Sequence, residues 1–397
     1  MTDLLHISSD FPDPLAPGKT RAISGLIDLV GEVNHHVYSL NRVSPRRGIR
    51  ALTFDGRHRA VAYGAPPYGL AHRTCLERVA RWIGADLAER GVTPKAIHAH
   101  KLTMEGIVGL HLARQLGIPL IVTCQGHTDL KILHARPDLR PLFRRIWQRA
   151  AWVFALAPWT ADALEESLGA RTGPTQCLPC PTAEDRLIAP RPTGPVVRSF
   201  FGLSARGNKN AGLLIDAAAL AADQLPGLTL EIVGGGPPAA FAALAETIAP
   251  VDDVVRLAGP APHDQVQALM NRSALMVLPS RRESYGMVFA EALLAGCPVI
   301  HGRANGLSGY FPGSGFAREA EPGGAVALAR QIVDMLGNRE RIKAELAAAQ
   351  ADGAMTLLRR PAIRTRYMTA LGSLSGIIDT LGRPGIRTAP VAEVESV

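Results

Sequence analysis

Between Ser273 and Ile300 the chain alternates in a way few folds accept. An apolar run, Ala274 to Leu278, gives way to a polar turn, Pro279 to Ser284. Helical periodicity follows from Tyr285 or Gly286 to Ala295, Gly296 closes it, and a second apolar run begins with Cys297-Pro298-Val299-Ile300. Short apolar runs bounded by turn formers are read as strands buried on both faces, and a glycine just past a helix is its favoured left-handed cap. A strand, a helix and a strand joined so tightly form a parallel pair with a right-handed crossover. The stretch therefore demands a covered parallel sheet.

The same stretch carries two glutamates with seven residues between them. Glu283 falls in the turn before the helix, and Glu291 about two turns inside it. The amides of Ser284, Tyr285, Gly286 and Met287 stand at the helix N-terminus, where unpaired N–H groups and the helix dipole suit an anion such as a diphosphate. An isolated glutamate pair is ordinarily solvated. Glu291, however, is flanked by Phe289, Ala290, Ala292, Leu293 and Leu294, and a charge in so apolar a helix needs a partner.

The alternation extends along the chain. Residues 4–8 read as a strand, 9–18 as a Pro/Asp/Gly loop and 19–30 as a helix; GxGxxG is absent, so a dinucleotide reading is weak. HHVYSL and RALTF read as strands and 74–90 as an amphipathic helix. A strand at 96–100, a helix from Met104 to Leu116 and a strand at 119–124 form another unit, followed by a loop from Gln125 to Asp129. Residues 141–152 mix Arg144, Arg145 and Arg149 with Leu142, Phe143, Ile146 and Trp147. A strand at 152–157, a helix at 160–168 and a strand at 175–180 close the first half. From Ala183 to Pro195 the chain is rich in Pro, Arg and Thr and reads as a linker. Strands at 196–203, 228–237 and 254–262 and helices ending near Ala222 and spanning 263–271 lead into the opening stretch. Helices at 323–336, 339–350 and 361–381 follow, and the tail beyond is expected to be disordered. The fold class is α/β: two Rossmann-like parallel-sheet domains facing across a cleft. The division is 1–190, 191–360, a final helix over 361–382, and a tail over 383–397.

Composition excludes several classes. At 397 residues, 47% hydrophobic and 20% charged, the chain is an ordinary globular one, with no apolar run of bilayer length and no signal-peptide pattern. Five irregularly spaced cysteines point to reduced thiols in the cytosol, and the lone Cys177-x-x-Cys180 lacks the second pair a structural zinc needs. A net charge of +8 favours anionic partners, but no nucleic-acid motif accompanies it.

In order along the chain, FFGLSARGNKNAGLLIDA, EIVGGGP, VVRLAG and above all LPSRRESYGMVFAEALLAGCPVI, with its E-x7-E pattern, closely resemble the nucleotide-sugar-binding domain of retaining glycosyltransferases of family 4, which have the two-Rossmann-domain GT-B fold. HISSDFP and IHAH followed by TCQGH resemble that family's first domain more loosely. The resemblance implies roles. Glu291 would hold the donor's ribose. Glu283 would contact the transferred sugar, with Ser284, Tyr285, Gly286 and Met287 beside it. Lys209, and Arg206 with it, would neutralise the diphosphate. Gly18 would approach the donor from the opposite domain, and Gly259 would begin the loop beside the base. The helix from Pro361 looks like the one that crosses back onto the first domain.

Two departures stand out. The family's arginine after the first strand of this domain is replaced by Leu203. The histidine of its T-x-H-G pattern aligns with Gln125, leaving His127 as the nearest imidazole, with a catalytic and a loop-structuring role both open. Glu283, His127 and Lys209 are the candidate catalytic residues. Other features read plainly. His98 and His100 alternate on a strand, one toward the core, with no ligand role expected. The glycines 234–236 read as tight-turn chemistry. Residues 141–152 read as an ordinary helix with solvated arginines, the alternative being a rest on an anionic membrane surface.

The resulting expectation is transfer of a sugar, with retention, from a nucleotide-sugar donor to a hydroxyl acceptor, a glycan or lipid-linked glycan. No D-x-D motif is present, so neither metal nor cofactor is expected. The location expected is cytoplasmic, with peripheral contact at the inner membrane face. A nucleotide-sugar epimerase, which would need no acceptor, a phosphorylase on the same fold, and a non-catalytic sugar-nucleotide-binding protein remain the alternatives.

Overall fold

The computed structural model describes residues 2–374. The first sheet has eight strands: β1 (Thr2–Ser8), β2 (Val33–Val43), β3 (Arg50–Phe54), β4 (His58–Gly64), β5 (Ala96–Ala99), β6 (Leu120–Cys124), β7 (Trp152–Ala155) and β8 (Thr175–Cys177). Their order is β3-β4-β2-β1-β5-β6-β7-β8, and only β3–β4 is antiparallel. The second sheet holds β9 (Val196–Phe200), β10 (Thr229–Val233), β11 (Val255–Gly259), β12 (Leu275–Leu278), β13 (Val299–His301) and β14 (Ala317–Glu319). Its order, β11-β10-β9-β12-β13-β14, is parallel throughout.

Both sheets are doubly wound. The winding reverses between β1 and β5 in the first and between β9 and β12 in the second. At such a point the loops leaving the two central strands diverge, and a crevice opens at the strands' carboxyl ends. Buried strands account for the central positions: every residue of β5, β6 and β12 is buried. Helices cover them with apolar stripes, as in His72–Glu89, where Leu76, Val79, Ile83 and Leu87 face inward.

The last described helix, Arg360–Gly372, begins with Pro361 and leaves the second domain's sequence to pack on the first. Its Ile363, Tyr367, Ala370 and Leu371 form one core with Leu4, Leu26, Val30, Ile121 and Phe154. The rest of the helix expected to residue 382, and the tail over 383–397, lie outside the described residues. Among the described residues no helix is long and apolar enough to cross a membrane.

The segment expected as a loop from Gln125 to Asp129 is shorter than that, because His127–Ala135 is a helix and places His127 at its first position. That helix, β4, β14 and the helix Pro238–Ile248 all lie beyond the sequence reading. Two had local signals. Asp55-Gly56, both at positive φ, turn β3 back into β4, and an Asp-Gly pair between extended runs is a hairpin mark. Pro238 opens an alanine-rich run that forms a helix readily. Helix Arg140–Arg149 turns Phe143, Ile146 and Trp147 into the core, while Arg140 and Arg144 donate to the carbonyls of Ser167 and Leu168. It offers no apolar face to a membrane.

Candidate active site

The loops that follow β9 and β12 meet where the second sheet reverses. They are stitched through Asn208: Arg281 N–H donates to its backbone C=O at 2.8 Å, and its side-chain Nδ2 donates to Arg282 C=O at 2.9 Å. That stitching brings Lys209 onto Glu283 in a direct ion pair, each side chain about one-fifth exposed. The helix itself starts only at Met287, so Ser284, Tyr285 and Gly286 belong to the turn rather than to its first residues. Gly286 sits at φ +74°, and a Cβ there would stand 2.5 Å from the Phe289 ring and 3.0 Å from Glu283 Cγ. Only glycine permits this approach, which sets the direction of Glu283.

Glu291 lies one helical face further in. Its neighbours Phe289, Ala290, Ala292, Leu293 and Leu294 are all buried. Burial pushes its carboxyl up to about 7; His263 opposes the shift and Glu184 adds to it. A half-buried carboxylate in this setting is a strong acceptor for paired hydroxyls.

The facing wall comes from the first domain. A cleft of about 270 Å³ is lined by Glu283, Ser284, Tyr285, Gly286 and Met287 on one side and by Thr20, Ile23, His100, Thr123 and Gln125 on the other. Ser284 Oγ donates across it to the Gln125 carbonyl at 3.0 Å. Gln125 is held in turn by buried Asp129, whose carboxylate accepts from Gln125 N–H at 2.8 Å and from Thr103 N–H and Oγ1 at 2.8 and 2.7 Å. Trp159 Nε1 donates to Gly306 C=O at 3.3 Å, and Tyr310 O–H to Leu156 C=O at 2.8 Å. The domains thus touch through polar contacts at the cleft's rim.

The remaining candidates are placed unevenly. Arg206 stands half-buried near Lys209 on the same loop and forms no ion pair among the described residues. Leu203 is fully buried, so the position where the family carries an arginine is here part of the core. Gly18 is exposed at the rim of a loop pinned by the Lys19–Asp13 pair at 2.8 Å, and Thr20 reaches the cleft instead. Gly259 ends β11 at φ +77° with open space where a side chain would go, outside the cleft lining. His127 packs against Trp159 with centroids 4.8 Å apart, and its Nε2 is buried with no partner. Desolvation first, then Arg282, lower its basicity, while Glu283 works against them. It lies within charge range of Arg282 and Glu283 but outside the cleft lining. A Cβ on Gly234 would lie 1.9 Å from Phe201 C=O, so the three-glycine run serves the close approach of two strand ends.

Of the two alternating histidines, one faces the core as expected, and the other adds a feature the alternation did not show. His98 is bonded within the core to Tyr367 Oη and Thr123 Oγ1, each at 2.7 Å, but His100 forms part of the cleft wall. The signal was its place as the last residue before the loop, at the carboxyl end of a central strand. Ring nitrogens of His6, His98 and His100 all lie within 4.8 Å of one another. They are engaged in hydrogen bonds with one another, His35, Tyr367 and Thr123, which makes the trio a bonded core rather than an open ligand set.

Two doubly wound domains facing across a cleft are the layout of the GT-B fold. Comparison with known families agrees. Residues 23–181 match the glycosyl transferase 4-like domain and residues 196–338 the glycosyl transferases group 1 domain. The chain belongs to this family of glycosyltransferases, which use nucleotide-sugar donors. It is 27% identical to a 2-deoxystreptamine glucosyltransferase of Streptomyces kanamyceticus, over 70% of this chain and 74% of that one. It is 28% identical to a D-inositol 3-phosphate glycosyltransferase of Nocardiopsis dassonvillei, over 70% and 75%. Among solved structures it resembles sucrose-phosphate synthase of Thermosynechococcus elongatus, with TM-score 0.68 and 20% identity over 93% of this chain and 98% of that one. It also resembles Anabaena HepE bound to UDP, with TM-score 0.68 and 19% identity over 94% and 100%.

Proposed function

We propose that the protein transfers a sugar from a nucleotide donor to a hydroxyl of a glycan or lipid-linked glycan with retention at the anomeric carbon, using no metal. The observation that carries this reading is the Lys209–Glu283 pair at the β9–β12 switch point, with Glu291 one turn into the helix that follows Glu283. In this reading Glu291 accepts hydrogen bonds from the ribose, and Glu283 and the amides of the 284–287 turn hold the transferred sugar. Lys209 and Arg206 offset the charge that grows on the diphosphate as the glycosidic bond breaks, which is the largest demand of the step. Among the described residues no carboxylate of the first domain lines the cleft opposite Glu283. That favours attack from the leaving group's own face, the departing phosphate oxygen taking the acceptor's proton, over a covalent intermediate.

A second hollow of about 440 Å³ on the first domain supports the acceptor class. It is lined by Arg42, Tyr63, Tyr68, Leu70, Lys131 and Arg136, among others. Tyr68 is 94% and Leu70 64% exposed. Cations beside bare apolar groups suit an acceptor with an anionic and an apolar part, as a lipid-diphosphate-linked glycan has. The named substrates of the curated relatives, an aminocyclitol and an inositol phosphate, are likewise polyhydroxylated. The protein is assigned to the cytoplasmic side of the membrane on this reading.

The test is a thermal-shift screen with UDP, GDP and ADP and their sugars, followed by NMR of the product's anomeric proton. A donor that raises Tm and an anomer matching the donor's support the proposal; the opposite anomer overturns retention, and donor conversion without acceptor favours an epimerase.

A further inference from the structure

A line of three buried histidines ends at the cleft wall. His35 on β2, His6 on β1 and His100 at the end of β5 lie on neighbouring strands. His6 Nε2 is 2.8 Å from His35 Nδ1, and His6 Nδ1 is 3.0 Å from His100 Nε2. The other end of the line is a group that can only accept: His35 Nε2 lies 2.7 Å from the Val30 carbonyl oxygen. That nitrogen must carry the proton, so His35 Nδ1 is a lone pair. His6 Nε2 must then donate to His35, leaving His6 Nδ1 as the acceptor for His100 Nε2–H. One carbonyl sets three tautomers, and the line terminates in a lone pair on His100 Nδ1.

Burial keeps the three rings neutral. It holds His6 and His35 below the ordinary imidazole value and lowers His100 to about 3. Around His100 the charges of Asp10 and Lys101 act in opposite directions. His100 is only 2% exposed, yet it shares the cleft wall with Gln125 and Thr123, opposite Glu283. No hydrogen bond to His100 Nδ1 forms among the described residues, so a ligand hydroxyl entering the cleft can take the place of water there.

We propose that His100 Nδ1 receives a hydrogen bond from a hydroxyl of the transferred sugar, with His6 and His35 as positioning residues that fix its ring and tautomer. The assignment rests on the glycosyltransferase reading above. A neutral imidazole this weakly basic orients a hydroxyl rather than removing its proton. The site therefore distinguishes sugars by the presence and direction of one hydroxyl, since a sugar lacking it leaves the lone pair unpaired.

The test is ¹⁵N NMR of the full chain labelled at histidine, titrated with UDP and then UDP-glucose, or with the GDP-mannose or ADP-glucose pair where that raises Tm more. His100→Asn identifies the signal. The free protein should show His100 as the Nε2–H tautomer. The sugar nucleotide should move its Nδ1 resonance toward that of a hydrogen-bonded nitrogen, while the nucleoside diphosphate alone leaves it in place. His100→Ala should weaken sugar-nucleotide binding about tenfold with diphosphate binding unchanged. His100→Asn, whose amide oxygen falls near Nδ1, should restore most of it. His35→Ala should leave His100 as a mixture of tautomers, which a purely structural role for His35 would not cause. An Nδ1–H tautomer in the free protein, or an Nδ1 signal unmoved by a sugar nucleotide that binds, overturns the proposal. If no sugar nucleotide raises Tm, the donor reading itself fails and takes this assignment with it.

Discussion

Lys209 and Glu283 are ion-paired across two loops that leave adjacent central strands of the second sheet. The pair is partly exposed, so it contributes little to stability, on the order of 1 kcal/mol or less. Its place matters more than its strength. The cation proposed to meet the diphosphate is held beside the carboxylate proposed to meet the sugar, at the same switch point. Lys209→Ala is expected to lower kcat/KM about 10²- to 10³-fold, the scale for losing one preorganised charge partner in a transition state. Glu283→Gln is expected to lower kcat more than donor affinity. Steady-state kinetics with melting curves check both, because Tm should move by no more than a few degrees. Full activity in both variants would remove these residues from the site.

The carboxyl of Glu291 is raised from its ordinary 4.5 to about 7, chiefly by burial. The folded state therefore binds more protons than the unfolded state between those values, and stability falls as pH rises through that window. Glu291→Gln removes the buried charge. It should match the parent's Tm near pH 4 and exceed it above pH 7, with the gap opening between. Donor binding has the opposite sign, because ribose hydroxyls need the ionised acceptor. Affinity of the parent for the nucleoside diphosphate should rise as pH rises through about 7 and then level, while the glutamine variant binds weakly with no such slope. Calorimetry at pH 6 and 8 reads both.

The turn that aims Glu283 depends on Gly286. At φ +74°, with Phe289 and Glu283 crowding the missing Cβ, Gly286→Ala meets both backbone strain and overlap. A loss of about 1–3 kcal/mol of stability is expected, together with a fall in turnover larger than that of Ser284→Ala. The latter removes only the hydroxyl's bond to the Gln125 carbonyl. Parallel denaturation and kinetic measurements separate the two, and a fully active Gly286→Ala would show that the turn does not set the geometry of Glu283.

How far the sequence carried can be judged at particular residues. The alternation of apolar runs with helical stretches was enough for two parallel-sheet domains, because strands buried on both faces read as short apolar runs between helices; the strand order and the strands β4 and β14 were not legible in it. Glu291 was legible because its charge interrupts an apolar helix, whereas Glu283 and Lys209 lie in polar loops and stood out only through the resemblance of their motifs to family 4. His100 was not, since a histidine beside a strand looks the same whether it faces core or cleft, and only the sheet order decides. Leu203 marks the converse. The sequence shows an arginine missing from its usual place, but only the fold shows that this place is fully buried. Leu203→Arg is accordingly expected to destabilise the protein by several kcal/mol through burial of an unpaired charge, and to lower Tm rather than improve donor binding.

The helix Arg360–Gly372 belongs to the first domain's core although it follows the second domain in sequence. Tyr367 is fully buried, and its hydroxyl lies 2.7 Å from Nδ1 of His98, whose Nε2 lies 2.7 Å from the Thr123 hydroxyl in the cleft wall. Phenylalanine at 367 preserves the packing against Leu4, Ile121 and Phe154 but leaves that nitrogen of His98 unpaired. The expected cost is about 1–3 kcal/mol, that of one orphaned buried polar group. Ending the chain after Leu358 goes further: it uncovers Leu4, Leu26, Val30 and Phe154 together and should leave the first domain unable to hold its native fold. Urea denaturation monitored by tryptophan fluorescence distinguishes the two outcomes. Trp147, Trp152 and Trp159 all lie in the first domain, so a truncated chain should lose their cooperative transition while Tyr367→Phe shifts it to lower urea with an unchanged slope. A truncated chain that keeps the parent's transition would mean that the helix only rests on the surface.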